Sequence, residues 1–348
     1  APLREGIEKH IESVSGSERA ARAIQSVWLA DALRAPWLPE AVTEIAASPD
    51  LARLDVPRRI RREIDVTGGT VGATAIRNTH RLDGDGVRVA VIDGEVSSAH
   101  AAFGGRVVPK GNYTREPVGA PDPHGTAVAG IIAGSDARYS GIAPRAAIYS
   151  YKIFATDPDL DADDLGAAAA LQQALQDTAH VANCSWGAGA ASNGTSREAR
   201  ACDRAWSLGM TIVKSAGNGG SDGTLTTPAD ASGVIVVGGT DRQGAAMGPY
   251  SSWGQLSDQT WRPHLVAPGG TAASGVFSCA SAGGFAASGA GTSFAAPHVT
   301  GLIALLLHHN PGLTPDAIRA HLLGQCTAIS GVPAERQGGG LVVLSALA

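Results

Sequence analysis

The chain contains few aromatic residues and no long hydrophobic run. Phe, Trp and Tyr make up 5% of its 348 residues, whereas glycine occurs 45 times. This composition favours tight turns and close backbone approaches over a core of bulky side chains. No apolar run approaches the roughly 20 residues that a membrane-spanning helix needs. The sequence therefore predicts no membrane span.

An excess of charge of one sign is also absent. Charged residues make up 17% of the chain, and the formal net charge is −5. Such a balance creates no electrostatic demand for a polyanionic partner, so we predict no nucleic-acid partner. The composition is that of an ordinary globular protein, and the length accommodates a large domain with a smaller one beside it.

The four cysteines lack the spacing of a metal or redox motif. No C-x-x-C pair occurs, which argues against a zinc site. The cysteines can form zero, one or two disulfide bonds, and the sequence does not choose between disulfides and buried free thiols. His308, His309 and His321 have no acidic or Cys partner at ligand spacing, so we predict no metal site. The cysteines are Cys184, Cys202, Cys279 and Cys326.

The first 65 residues differ in pattern from the rest. They are rich in Arg and Glu and poor in Gly, and their apolar periodicity predicts a small α+β unit. An exposed linker is expected over residues 58–69. The predicted elements are helices over residues 7–14 and 21–27, a strand over 28–33, a helix over 39–47 and a strand over 51–56.

Residues 66–348 alternate short apolar strands with helices. Brief β-branched runs are typical of parallel strands that are buried on both faces. We therefore predict a three-layer α/β fold with a mainly parallel sheet and right-handed crossovers. The predicted strands span residues 87–92, 147–153, 181–184, 211–214 and 234–237, and the predicted helices span 126–133, 163–177, 196–208 and 293–308.

Three segments carry the parts of a serine nucleophile: an acid, a base and a hydroxyl. Asp93, in VIDG, lies at the carboxyl end of a predicted strand, where ligands meet open α/β sheets. His124, in PHGT, begins a predicted helix, and we expect the helix dipole to keep its imidazole neutral. Ser293, in GAGTS, begins another helix, where its backbone N–H is free for an oxyanion.

Two other strand ends offer hydrogen-bonding groups. Asn218, in SAGNG, supplies an amide that can donate to a developing oxyanion, a contribution of about 3 to 4 kcal/mol to the barrier. A turn Asn in the left-handed conformation is the alternative. The segment Ser185-Trp186-Gly187 offers backbone groups and an indole that can pair with and wall an extended peptide. Glu95 is interpreted as a solvated turn residue.

Together these segments resemble the subtilisin-like serine peptidases (subtilases) over residues 70–330. GTSFAAPHVTG, HGTAVAG, the strand-borne acid and the AGN loop match that family in type, order and spacing. The resemblance implies a subtilisin-like fold, with Asp93, His124 and Ser293 as the catalytic triad and Asn218 as oxyanion donor. It implies a serine endopeptidase that hydrolyses peptide or protein substrates through an acyl-enzyme.

The resemblance also implies substrate-binding positions. Ser185 to Gly187, together with Ala216 and Gly217, would form the edges that bind the substrate as added strands. Pro228 and Ala229 resemble the far wall of the S1 pocket. Thr226, near its floor, stands where many members have glycine, which implies a shallower pocket.

Asp161 belongs to an acidic run at residues 157–164 that precedes a helix. The simpler interpretation is a capped helix start that matches the helix dipole. In subtilases, however, this segment borders the S2 and S4 subsites. The resemblance then places Asp161 at a substrate-binding position and implies a preference for basic peptides.

Residues 1–65 resemble the inhibitory propeptide of subtilases. The resemblance implies a domain boundary at 65/66, a self-inhibited zymogen whose N-terminal segment is an intramolecular inhibitor, and maturation within residues 58–69. It favours a secreted or periplasmic location.

Two alternative functions stay open: a non-catalytic binding or regulatory module, and a function suggested by departures from the family pattern. The acid motif reads D-G-E-V rather than D-T/S-G, which resembles peptidases and macrocyclases that mature ribosomal peptides; a peptide-maturing cyclase or ligase with the same triad is therefore the second alternative. Residues 133–142 are too few for the family's calcium-binding loop. We predict that no cofactor is required, and the sequence stays compatible with a weak structural calcium ion.

Overall fold

A computed structural model describes residues 64–191 and 193–348, together with two short strands nearer the N-terminus. The chain divides into two compact units, residues 1–60 and 61–348. In the first unit, β1 (Gln25–Val27) pairs antiparallel with β2 (Ala32–Arg34). The helix predicted over 21–27 is thus wrong at its last three residues. The other elements predicted before residue 57, apart from residues 32 and 33 of a predicted strand, lie outside the described residues.

The second unit contains eight described α-helices and two short 3₁₀-helices, Ala101–Phe103 and Pro158–Leu160. Capping side chains fix several of their starts: Asp122, Asp163, Ser196 and Thr314 each accept a hydrogen bond from an N–H of the first turn. The helices are α1 (Ile64–Thr70), α2 (Ala73–His80), α3 (Pro123–Ala133), α4 (Asp164–Gln176), α5 (Arg197–Ser207), α6 (Thr292–His309), α7 (Pro315–Gly324) and α8 (Ala334–Gln337).

Fifteen strands of the second unit are described. They are β3 (Arg88–Gly94), β4 (Val107–Asn112), β5 (Ala147–Phe154), β6 (Val181–Cys184), β7 (Ala188–Ala190), β8 (Thr211–Ser215), β9 (Thr226–Thr227), β10 (Ile235–Thr240), β11 (Gly254–Gln255), β12 (Trp261–Arg262), β13 (Leu265–Pro268), β14 (Phe277–Cys279), β15 (Phe285–Ala287), β16 (Cys326–Thr327) and β17 (Leu341–Val342). The five strands and four helices predicted between residues 87 and 308 are confirmed within a few residues at each end. The predicted linker is different: Gly68 and Gly69 lie inside α1.

The main sheet has nine strands in the order β16-β17-β13-β10-β8-β6-β3-β5-β4. All neighbours pair parallel except β16 and β17. Every residue of β6, β8, β10 and β13 is buried. Because successive side chains of a strand point to opposite faces, both faces of this part of the sheet are covered.

Two helix pairs supply that cover. The helices α3 and α6 pack on each other and on the central strands, and α6 contacts β3, β6, β8, β10 and β13. The helices α4 and α5 form the second pair, which packs on β3, β5 and β8. None of the helices in the described ranges has the length and apolar character that crossing a bilayer requires.

The sheet brings three loops to one edge. The strands β3, β6 and β8 are parallel and adjacent, so their carboxyl ends lie side by side. Asp93 lies at the end of β3, Ser185 follows β6, and Asn218 follows β8. The fold therefore assembles groups that are far apart in the chain.

Candidate active site

Asp93 is fully buried at the end of β3. Its Oδ1 accepts hydrogen bonds from the backbone N–H of Gly94 at 2.7 Å and from Nδ1 of His124 at 2.8 Å. Its Oδ2 has no hydrogen-bond partner among the residues that the structure describes. The carboxylate is thus desolvated, and the imidazole is its ionisable partner.

The start of α3 positions His124. Asp122 caps this helix, because its Oδ1 accepts from the N–H of Gly125 at 2.8 Å. Gly125 allows the turn to approach β3, since a Cβ at this position would lie 2.4 Å from the carbonyl oxygen of Gly94. His124 is therefore held against Asp93 by backbone packing as well as by its own hydrogen bond.

The charge of Asp93 decides the protonation of His124. It is the largest cause that raises the pKa of His124 to about 9; burial opposes it, and the Asp93 hydrogen bond and the charge of Asp122 raise the pKa further. The expectation that the helix dipole keeps this imidazole neutral is therefore wrong. A full charge at 2.8 Å outweighs a dipole equivalent to about half a charge.

Ser293 lies in the first turn of α6, and its hydroxyl is held by the end of β6. Its Oγ donates to the carbonyl oxygen of Ser185 at 3.1 Å, and the Ser185 hydroxyl donates to the carbonyl oxygen of Ser293 at 2.8 Å. The ring of Phe294, the next residue, lies 5.5 Å from the His124 ring. The first turn of α6, which carries Ser293, thus lies next to the His124 ring.

Asn218 is oriented by Thr292. Its Oδ1 accepts from the backbone N–H and from Oγ1 of Thr292, both at 2.9 Å. This leaves the Nδ2 hydrogens for another acceptor. The left-handed residue of this loop is Gly217, with φ 115°, and not Asn218, so the left-handed alternative for Asn218 is wrong.

The predicted substrate-binding segments lie together. Thr226 lies on β9, which pairs with β7, and its N–H donates to the carbonyl oxygen of Ala216 at 3.3 Å. Gly187 is exposed at the end of the Ser185 segment, whereas Trp186 is 7% exposed and packs in the core. The indole of Trp186 therefore exposes little surface that a bound peptide could contact.

The acidic run before α4 forms local contacts. Asp161 Oδ1 accepts from the N–H of Ala155 at 2.7 Å, and Asp163 caps α4. Asp164 forms an ion pair with Arg197 at 3.0 Å. These contacts agree with the capping interpretation, and a substrate-binding role of Asp161 stays a prediction.

Glu95 differs from its prediction as a solvated turn residue. Its carboxylate accepts from the N–H of Gly119 at 2.8 and 2.9 Å and lies 3.4 Å from Nζ of Lys152. Lys152 is 2% exposed and also contacts Glu116 at 2.7 Å. Glu95 therefore joins the Asp93 loop to β5 and to the loop before α3, a role that the sequence did not indicate.

Sequence reasoning missed Asp122 and Lys214. Asp122 precedes Pro123, and an Asp before a proline is a readable sign of a helix start, yet its closeness to Asp93 and His124 is a tertiary feature. Lys214 interrupts the apolar run of β8 and is fully buried. A lysine inside a predicted buried strand is the signal that would have marked it.

Within the described ranges, the residues that offer three possible metal ligands in one place are Asp93, Asp122 and His124, whose ligand atoms lie within 4.8 Å of one another. Two of these three form the 2.8 Å hydrogen bond described above. The cysteines Cys184, Cys202, Cys279 and Cys326 are all free thiols.

The chain is similar to known proteins in sequence and in fold. The Subtilase family profile matches residues 84–340. The alkaline elastase YaB of Bacillus sp. (strain YaB) is 32% identical over 312 residues, which cover 87% of this chain and 76% of that protein. The structure of a cold-adapted subtilisin-like serine proteinase is similar with a TM-score of 0.63 and 29% identity, over 76% of this chain and 91% of that one.

A second solved structure is similar over a comparable share of the chain. The prenylagaramide maturation protease PagA is similar with a TM-score of 0.63 and 28% identity, over 78% of this chain and 94% of that one. Since the family profile covers residues 84–340 and a relative at 32% identity covers 87% of the chain, the chain belongs to the subtilase family of serine proteases and is a subtilisin-like serine endopeptidase.

Proposed function

We propose that Asp93, His124 and Ser293 are the catalytic triad of this endopeptidase. The observation that carries the proposal is the 2.8 Å hydrogen bond from His124 to a fully buried carboxylate, beside a serine in the first turn of a helix. His124 takes the proton of Ser293 as the hydroxyl attacks the substrate carbonyl, and it then protonates the leaving amine. Asp93 holds the imidazole and stabilises its charged form.

The oxyanion that develops in this attack is stabilised by two donors. The N–H of Ser293 belongs to the first turn of α6, whose N–H groups have no acceptor within the helix. The Nδ2 of Asn218 is the second donor, because Thr292 fixes the opposite side of that amide. The edges at Ser185–Gly187 and Ala216–Gly217 bind the peptide as added strands, and Thr226 lies at the floor between them.

Substitution of the nucleophile tests the triad. Ser293→Ala removes the attacking oxygen and keeps the contacts of the backbone, so peptide hydrolysis and fluorophosphonate labelling should both disappear while the circular dichroism spectrum stays unchanged. Hydrolysis by the variant at the parent rate would contradict the assignment.

We further propose that the segment before the maturation cut, which lies within residues 1–65, acts as an intramolecular inhibitor of the peptidase domain. Because α1 begins at Ile64 and Thr67 is buried, the maturation cut falls before α1, within residues 58–63. N-terminal sequencing of the full chain after incubation, beside the Ser293→Ala variant, measures self-cleavage. A new N-terminus in both samples, or a full chain that is already fully active without any cut, would contradict the inhibitor role.

The cyclase or ligase alternative uses the same residues and passes the acyl group to an amine. Mass spectrometry of the products separates a cyclic peptide from a hydrolysed one, which is 18 Da heavier because a water is added.

We propose that this hydrolysis requires no cofactor. We also propose that Asp161 gives the enzyme a preference for peptides with a basic residue at P2 or P4. The first proposal predicts undiminished hydrolysis in excess chelator. Cleavage profiling with a randomised peptide library tests the second.

A further inference from the structure

Lys214 is a buried cation with neutral hydrogen-bond partners. It lies on β8, four residues before Asn218, and is fully buried. Its Nζ donates to the carbonyl oxygen of Ser215, to the Ser215 hydroxyl at 3.3 Å and to Oγ1 of Thr226 at 3.4 Å. A buried ammonium without a carboxylate partner is costly, and such groups concentrate at functional sites.

Thr226 connects this cation to the proposed substrate-binding slot. A Cβ built on Gly187 would lie 2.1 Å from Oγ1 of Thr226, and one built on Gly217 would lie 3.4 Å from the same oxygen. The Thr226 hydroxyl therefore stands between the two edges of the slot. Since the hydroxyl occupies the place between these edges, we expect it to limit the slot to small side chains.

The direction of the hydrogen bond decides the polarity of this floor. An ammonium group can only donate, so Thr226 Oγ1 accepts from Lys214. The Thr226 proton must then point to another acceptor, and the charge behind it makes the hydroxyl a stronger donor. The floor of the slot thus presents a hydrogen-bond donor, the Thr226 hydroxyl, which is polarised by the positive charge of Lys214.

We propose that Lys214, acting through Thr226, makes this slot select a small anionic side chain, so that peptides with Asp at P1 are preferred substrates. The inference rests on the proposed function and names its substrate class. The P1 carboxylate accepts from the Thr226 hydroxyl and supplies the negative charge that Lys214 lacks. Lys214 is a positioning residue in this scheme, because it contacts the substrate only through Thr226.

The groups around Lys214 compensate its charge only in part. The thiols of Cys184 on β6 and Cys202 on α5 face it, and burial raises the pKa of both, so they stay neutral. Asp230, in the loop after β9, favours the charged form of Lys214, and its carboxylate is not among the hydrogen-bond acceptors of Nζ given above. Burial lowers the pKa of Lys214 to about 8, so the cation is present below that pH and lost above it.

The test compares peptides that differ only in P1. The processed full chain is titrated with a fluorophosphonate to count active molecules, and kcat/KM is measured for P1 Asp, Asn, Ala, Phe and Lys at pH 7. We expect Asp to exceed Asn by about 10-fold or more, as for a hydrogen bond to a charged group, and Phe to be the poorest neutral substrate. The ratio of Asp to Asn should fall as the pH rises through 8.

Two matched variants keep the proposal falsifiable. Lys214→Met removes the charge at similar volume, and Thr226→Val removes the hydroxyl at similar shape; each should bring the ratio of Asp to Asn towards 1. A parent that prefers Phe or Lys, or a Lys214→Met variant that keeps the parent ratio, overturns the proposal; if that variant fails to fold, an unchanged ratio in Thr226→Val does so. Absence of fluorophosphonate labelling in the parent would instead overturn the proposed triad.

Discussion

Asp93 and Lys214 are both fully buried near the carboxyl ends of parallel strands in one sheet, and they have opposite surroundings. Asp93 has an imidazole at 2.8 Å, and its charge raises the pKa of His124 to about 9. Lys214 contacts only neutral oxygens, and burial lowers its pKa to about 8. Burial lowers the pKa of both bases, His124 and Lys214; the charge of Asp93 reverses the direction for His124, whereas no carboxylate in the described part of the chain lies at hydrogen-bond distance from Lys214.

The largest effect is expected from a substitution that removes the charge of Asp93. In Asp93→Asn the amide can neither stabilise the imidazolium nor hold the productive tautomer, so kcat should fall by about 10⁴-fold. The measurement is peptide hydrolysis per molecule of titrated enzyme, with parent enzyme as control. A loss smaller than tenfold would show that Asp93 is not the acid of the triad.

The next effect compares the two buried lysines by stability. Lys152→Met leaves Glu95 and Glu116 without their cation and should lower the urea midpoint. Lys214→Met removes a cation without a carboxylate partner, so it should leave stability unchanged or raise it by about 1 to 4 kcal/mol. Both are measured in the Ser293→Ala background, which prevents self-digestion. A larger loss of stability in Lys214→Met than in Lys152→Met would contradict this prediction.

The pH dependence of stability distinguishes the Asp93–His124 pair from Lys214. The pKa of His124 is raised to about 9, so its contribution is complete below its unfolded value near 6.5 and is lost as the pH rises through 9. Lys214 has a folded pKa of about 8, below its unfolded value near 10.4, so stability gained from its deprotonation increases between those values. Unfolding midpoints from pH 6 to 10 check both slopes, and Asp93→Asn and Lys214→Met should each abolish one of them.

The smallest effect concerns Asp122. Its charge is the weakest of the causes that raise the pKa of His124, and hydrolysis requires neutral His124, so activity in the parent should rise with pH as His124 loses its proton. Asp122→Asn keeps an equivalent helix cap and removes the charge. The acidic limb of kcat/KM should therefore move to lower pH, and a limb that stays in place or moves up would exclude this electrostatic role.

Most of the second unit was predictable because its patterns are local. The strand of Asp93, the helix of His124 and the helix of Ser293 have apolar periods, caps and glycines that lie within a few residues of each other. The structure of the predicted linker could not be read from the sequence. Residues 64–70 contain two glycines, yet they form a helix whose Thr67 is buried. Packing in the tertiary structure overrides the low helix propensity of glycine there.

The sequence by itself determined the family and the residues of the proposed triad, because the motifs GTSFAAPHVTG and HGTAVAG place each group at the end of a recognisable element. Only the tertiary structure decided the charge state of His124, the pairing of Glu95 with Lys152 and the position of Lys214 beneath Thr226. The physical reason is that a pKa depends on the distance to another charge and on exclusion of water. Both are set by which strands become neighbours in the sheet, and no local pattern specifies that.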